Sequence, residues 1–136
     1  MQITREFSKY QVIPVNFAQA NVAASQTNVQ LKDVSGGVEG VTMAFAGLIV
    51  GLTADLSAAS TGGTLTIGVT INGTEVAATT QTVTTATAVR VTFDRDAVKF
   101  AAGDKLGVEI TTNAGWTPET AELAATVLAA LAVDGI

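Results

Sequence analysis

Between residues 63 and 112 the apolar side chains fall on alternate positions: Leu65, Ile67, Val69 and Ile71, then Val89, Val91 and Phe93, then Leu106, Val108 and Ile110. The intervening positions are mostly Thr, Gly, Arg and Glu. A period of two sends successive side chains to opposite faces of an extended chain, which predicts half-buried antiparallel strands. Ile71-Asn72-Gly73-Thr74 is the clearest turn signal, because Asn-Gly accepts the positive φ angles of a two-residue hairpin turn. Val76 and Ala78 then belong to a returning strand. The run from Val76 to Val89 carries no charge; it reads as strand plus loop, or as a rim that meets a partner. Residues 94–104 form a loop carrying Phe100.

The flanks follow the same logic. In residues 28–34, Val29, Leu31 and Asp33 share one face of a strand stopped by Ser35-Gly36-Gly37, which is turn chemistry. Residues 41–56 read as one long strand bent near Gly47 or Gly51, since a strand glycine often marks a bulge or a close backbone approach. Residues 1–27 alternate weakly, and Pro14 biases Ile13 toward extended backbone. They read as an N-terminal arm, either a leader with one short strand or an arm that wraps a neighbouring subunit. Residues 121–133 pull two ways. Their Ala, Leu and Glu favour helix, and Thr117-Pro118-Glu119 has the form of a helix start. Against this, Leu123, Val127, Leu131 and Val133 share one strand parity and both faces are apolar, as in a central strand. The all-β surroundings, with the resemblance described below, decide for strand. The expected strands are one or two in the arm, then 28–33, 41–56, 64–71, 75–83, 88–93, 105–112 and 121–133. The fold class is all-β, an antiparallel β-sandwich or jelly roll of about eight strands, with an arm at 1–27 and the sandwich at 28–136.

Composition adds a surface property. Charged residues are 14% of the 136, and apolar residues 48%, whereas a typical domain is about 25% charged. So little charge leaves weakly apolar surface exposed, which marks an interface. The net charge of −5 and the scatter of basic residues argue against a nucleic-acid partner. Cys is absent, which excludes disulfides, thiolate catalysis and Cys metal sites and fits a reducing cytoplasm. His is also absent, which removes the commonest general base and transition-metal ligand. The first residues, MQITREFSKYQVIP, lack the apolar core of a signal peptide. No apolar run reaches the ~20 residues of a membrane span, so the expectation is a soluble chain with no membrane partner.

Candidate chemistry is sparse. Asp94, Asp96 and Asp104 offer oxygens to Ca²⁺, but Arg95 supplies a counter-charge, and a solvated loop explains them better. Asn72-Gly73-Thr74 matches a glycosylation acceptor, yet the hairpin accounts for it. Glu119 and Glu122 resemble a glycosidase carboxylate pair with nothing else in support. Trp116 is either a sugar-stacking platform or, more simply, a plug at the end of the sandwich. The Gly-Gly stretches at 36–37 and 62–63 lack the Lys and helix of a phosphate loop. No cofactor, metal or catalytic residue is expected.

The order of features also carries a resemblance. Ala46-Gly-Leu-Ile-Val-Gly-Leu52 leads to Ala54-Asp-Leu-Ser-Ala58 and Thr61-Gly-Gly-Thr-Leu-Thr66. Val69-Thr-Ile-Asn-Gly-Thr74, Phe100-Ala-Ala-Gly-Asp-Lys-Leu-Gly-Val108 and Ala114-Gly-Trp-Thr-Pro118 follow. Together, over about residues 41–133, these resemble small β-sandwich, jelly-roll proteins of tailed bacteriophage virions, C1q/TNF-like in layout. The resemblance implies a non-enzymatic virion structural protein. In its preferred form this is a capsid decoration (cement) protein, a homotrimer that binds the major capsid protein on the capsid surface and is made in the host cytoplasm. A head-fibre or tail-fibre tip that binds host glycan is the alternative. The expected oligomer or partner interface comprises Tyr10 and Phe17 in the arm and Val127 and Leu131 on the last strand.

Overall fold

The computed structural model describes residues 10–133. The part of the expected arm at 1–9 lies outside the described residues. Two strands set the middle of the molecule. β6 (Leu65–Ile71) and β11 (Lys105–Thr112) pair antiparallel with Leu106 opposite Ile71, Val108 opposite Val69 and Ile110 opposite Ile67. The alternation predicted for both strands therefore puts their apolar residues side by side on one face.

The hairpin after β6 forms where expected. Asn72 has φ 54° and Gly73 φ 83°, the left-handed pair that a type I′ turn requires. Asn72 also fixes the next loop: its Nδ2 donates to Asp104 at 3.0 Å and its Oδ1 accepts from the Lys105 amide at 2.9 Å. The single strand expected at 75–83 is instead divided into β7 (Thr74–Glu75), a 3-10 turn at Ala77–Thr79 and β8 (Gln81–Val83). Thr79 is the cause. Its buried hydroxyl accepts from the Val69 amide at 2.8 Å and donates to the Val76 carbonyl at 2.7 Å, so a side chain takes a place in the β6 ladder.

The remaining strands complete two six-stranded sheets. In the first, β12 (Leu123–Leu131) lies between β1 (Gln11–Gln19) and β5 (Gly47–Leu56). β9 (Ala88–Thr92) and β10 (Lys99–Phe100) pair with β5, and β3 (Lys32–Asp33) with β1. In the second, β2 (Val29–Gln30) and β4 (Val41–Thr42) join β11, which pairs β6, which carries β7 and β8. The chain passes repeatedly between sheets and its first and last described strands are neighbours: a jelly roll. The core lies between the sheets.

Several expectations change. Residues 11–27 are not a separate arm. β1 pairs with β12 over its whole length, from Gln11 opposite Leu131 to Gln19 opposite Leu123. The chain beyond it is tied down by Val22 N to Ala121 O at 2.9 Å and Ser25 N to Asn113 O at 3.1 Å. Residues 28–33 do not form one strand either, because the chain crosses at Leu31 from the second sheet to the first. The long strand expected at 41–56 breaks at residues 43–46, and a bulge at Val50 falls between the Ile49–Ala129 and Gly51–Leu128 pairs. Gly47 is a close approach: a Cβ there would collide with the Ala130 carbonyl and sit 2.8 Å from Phe100 Cζ. Residues 123–131 are strand, as expected. Thr117 bridges Gly62, its amide donating to the Gly62 carbonyl at 3.1 Å, so the helix-start signals there start no helix. No helix among the described residues is long and apolar enough to cross a membrane.

Candidate interface: the two outward sheet faces

The residues singled out for chemistry are dispersed. Asp104 accepts from the Ala101 amide at 2.9 Å and from Asn72. These bonds, the Ala101 amide first, hold its carboxyl below the usual range. Both its oxygens are thus engaged by the protein. Arg95 lies 5.5 Å from the centre of the Tyr10 ring, a cation–π stack. Glu119 accepts from the Ala24 amide at 3.3 Å, and the Glu122 amide donates to Ser57 Oγ at 2.8 Å. Among the described residues no group of three or more Asp and Glu is placed to hold a metal ion. Trp116 is 1% exposed and its Nε1 donates to the Val22 carbonyl at 3.2 Å. It plugs the sandwich and has no ring face free for a sugar.

Two of the four expected interface residues, Phe17 and Val127, need correction. Phe17 is 1% and Val127 0% exposed, and both belong to the core between the sheets. Leu131 packs against that core, and Tyr10 is half-buried beside Arg95. At Phe17 and Val127 the expectation fell on the inward parity of β1 and β12. The positions between these residues point outward.

Register arranges those outward residues in rows across β1, β12, β5 and β9. One row is Pro14, Leu128, Gly51 and Thr92; the next is Asn16, Thr126, Thr53 and Arg90; the third is Ala18, Ala124, Asp55 and Ala88. Val12, 58% exposed, stands at the end beside Ala130. On β1, β12 and β5 this face carries a single charge, Asp55. Its bases stand at the margins: Arg90 on β9, Lys99 on β10, and Lys32 on β3, which pairs with Glu39 at 3.6 Å. Mostly small and apolar, it is the kind of sheet surface that marks a contact.

The outward face of the second sheet is polar. Thr70 Oγ1 donates to Gln30 Oε1 at 3.1 Å, and Gln30 Nε2 donates to Glu109 Oε2 at 3.2 Å. Glu75, hydrogen-bonded by Thr80, lies across Gly68, where a Cβ would collide with its Oε2. A Cβ at Gly107 would lie 2.7 Å from Thr70 Oγ1 and 2.9 Å from Gln30 Oε1. Glu109 is therefore only 7% exposed. Burial, reinforced by the hydrogen bond and charge of Glu75, pushes its carboxyl above the usual range, with Gln30 opposing. In the sequence Glu109 is one of the polar positions between the apolar ones of β11, and alternation alone does not single it out. The available signal was the strand glycines at 68 and 107, which mark close approach.

No family model matches the chain, and no curated protein matches it. Three solved virus structures are similar in fold. A chain of the cyanophage Pam1 capsid asymmetric unit is 12% identical, with 90% of this chain and 84% of that chain covered and a TM-score of 0.46. Desmodium yellow mottle tymovirus gives 11% identity, 90% and 87% coverage and a TM-score of 0.40. An empty head of Turnip yellow mosaic virus gives 12%, 90%, 81% and 0.34.

Proposed function

We propose that this chain is a non-enzymatic virion structural protein, a capsid decoration (cement) protein that binds the major capsid protein of an assembled phage head as a homotrimer. The observation that carries the reading is the outward face of β1, β12 and β5, with one charge among small and apolar side chains. A face of that composition costs little to desolvate. The jelly roll is compatible with the role, since capsid domains use it, although a fold alone does not assign function. The reading also places the chain on the capsid surface and its synthesis in the host cytoplasm.

The mechanism is linkage. A protein that binds the assembled lattice and not its dissociated subunits stabilises the lattice by about 2.7 kcal/mol per site at a free concentration roughly a hundred times Kd. Purified protein added to heads that lack it should co-sediment with them and raise their melting temperature in a dose-dependent, saturable way. Heads that neither retain the protein nor shift in melting temperature contradict the reading. A fibre-tip lectin is less well supported, because the lone Trp is buried.

A further inference from the structure

The sparsely charged face has an acidic end. Between β1, β12 and the end of β5 an open groove of about 410 Å³ is floored by Ala18, Ala20 and Ala124 and bordered by Asp55, Ser57 and Glu122. The single ion pair among the described residues is Lys32 with Glu39, so neither Asp55 nor Glu122 has a basic partner there. Arg90 is exposed on the adjoining strand, opposite Thr53 and therefore diagonal to Asp55. It too has no acidic partner among the described residues.

We propose that a second copy of this chain covers the outward face of the first sheet, with the partner's Arg90 set into the groove between Asp55 and Glu122. This rests on the self-association part of the proposed function and not on its three-fold form, since a face that meets itself makes a two-fold contact. The occupant follows from the charges: one face holds an acidic groove and an unpaired base, so a closed assembly in which each copy gives one Arg90 and receives one satisfies both. The apolar positions toward the other end of the same face, Val12, Pro14 and Leu128, lose contact with water where the covering copy extends over them. The Arg guanidinium suits the task because its planar fork binds carboxylates bidentately.

The test is light scattering with native mass spectrometry on three variants. Arg90→Glu, and separately Asp55→Arg with Glu122→Arg, oppose like charges and should each weaken self-association by at least about tenfold. All three substitutions in one chain exchange the partners and should restore it. Circular dichroism spectra at low temperature should match wild type, since all three positions are exposed and the fold of each copy is unchanged. An oligomer indifferent to Arg90→Glu, or one that the combined variant fails to restore, overturns this inference and leaves the trimer standing. A wild-type protein that stays monomeric overturns both.

Discussion

Glu109 is held in the fold with its carboxyl pushed above the usual range, by burial first and by Glu75 second. The group is thus easier to protonate folded than unfolded. The stability this gives is fully present below the unfolded carboxylate value of about 4.3 and is lost as pH rises through the higher folded value. Unfolding free energy should therefore decline from mildly acidic pH toward neutrality. Glu109→Gln, which carries no charge at any pH, should flatten that decline and be at least as stable as wild type at pH 7. Denaturant melts across the pH range check this, and a variant whose pH profile overlays the wild type's refutes it. Alternation along β11 indicated which face Glu109 is on. It did not indicate that Gln30, from a strand 79 residues away in sequence, would lie against it.

Legibility at the scale of elements depended on whether a pattern has one meaning. β6, β11 and β12 were readable because alternating burial and strand pairing impose the same period. β1 was obscured by Pro14 and Asn16 on its outward face and by the polar residues after it, although Ile13, Val15 and Phe17 share the inward face. The crossing at Leu31 left no trace, since a strand has the same period whichever sheet it joins. The break at residues 77–79 came from one hydroxyl in a ladder, which no periodicity reports. The reassignment of β1 from arm to sheet has a consequence. Phe17→Ala should destabilise the isolated chain by about 3–5 kcal/mol, the cost of emptying a core site. Chemical denaturation measures it. Unchanged stability would return residues 11–19 to the status of a docking arm.

For the molecule as a whole, the sequence's low charge is distributed unequally. The second sheet turns Thr, Gln and Glu outward, whereas β1, β12 and β5 of the first turn out mostly Ala, Leu, Pro and Thr with one carboxylate, Asp55, near one end, and its bases stand on the flanking strands. The low charge of the composition predicts a contact surface. The register of β1, β12, β5 and β9 shows which side chains face outward, on the parity opposite to Val127, and so where the proposed surface lies; sequence alone did not, because interior and exterior positions of a two-faced apolar strand look alike. The proposed decoration role follows from that asymmetry: one wetted face and one face suited to burial. A cryo-EM map of the particle carrying this protein tests the role most directly. A decoration role predicts density for the jelly roll on the outer capsid surface at three-fold or quasi-three-fold positions, while density confined to the tail would contradict it.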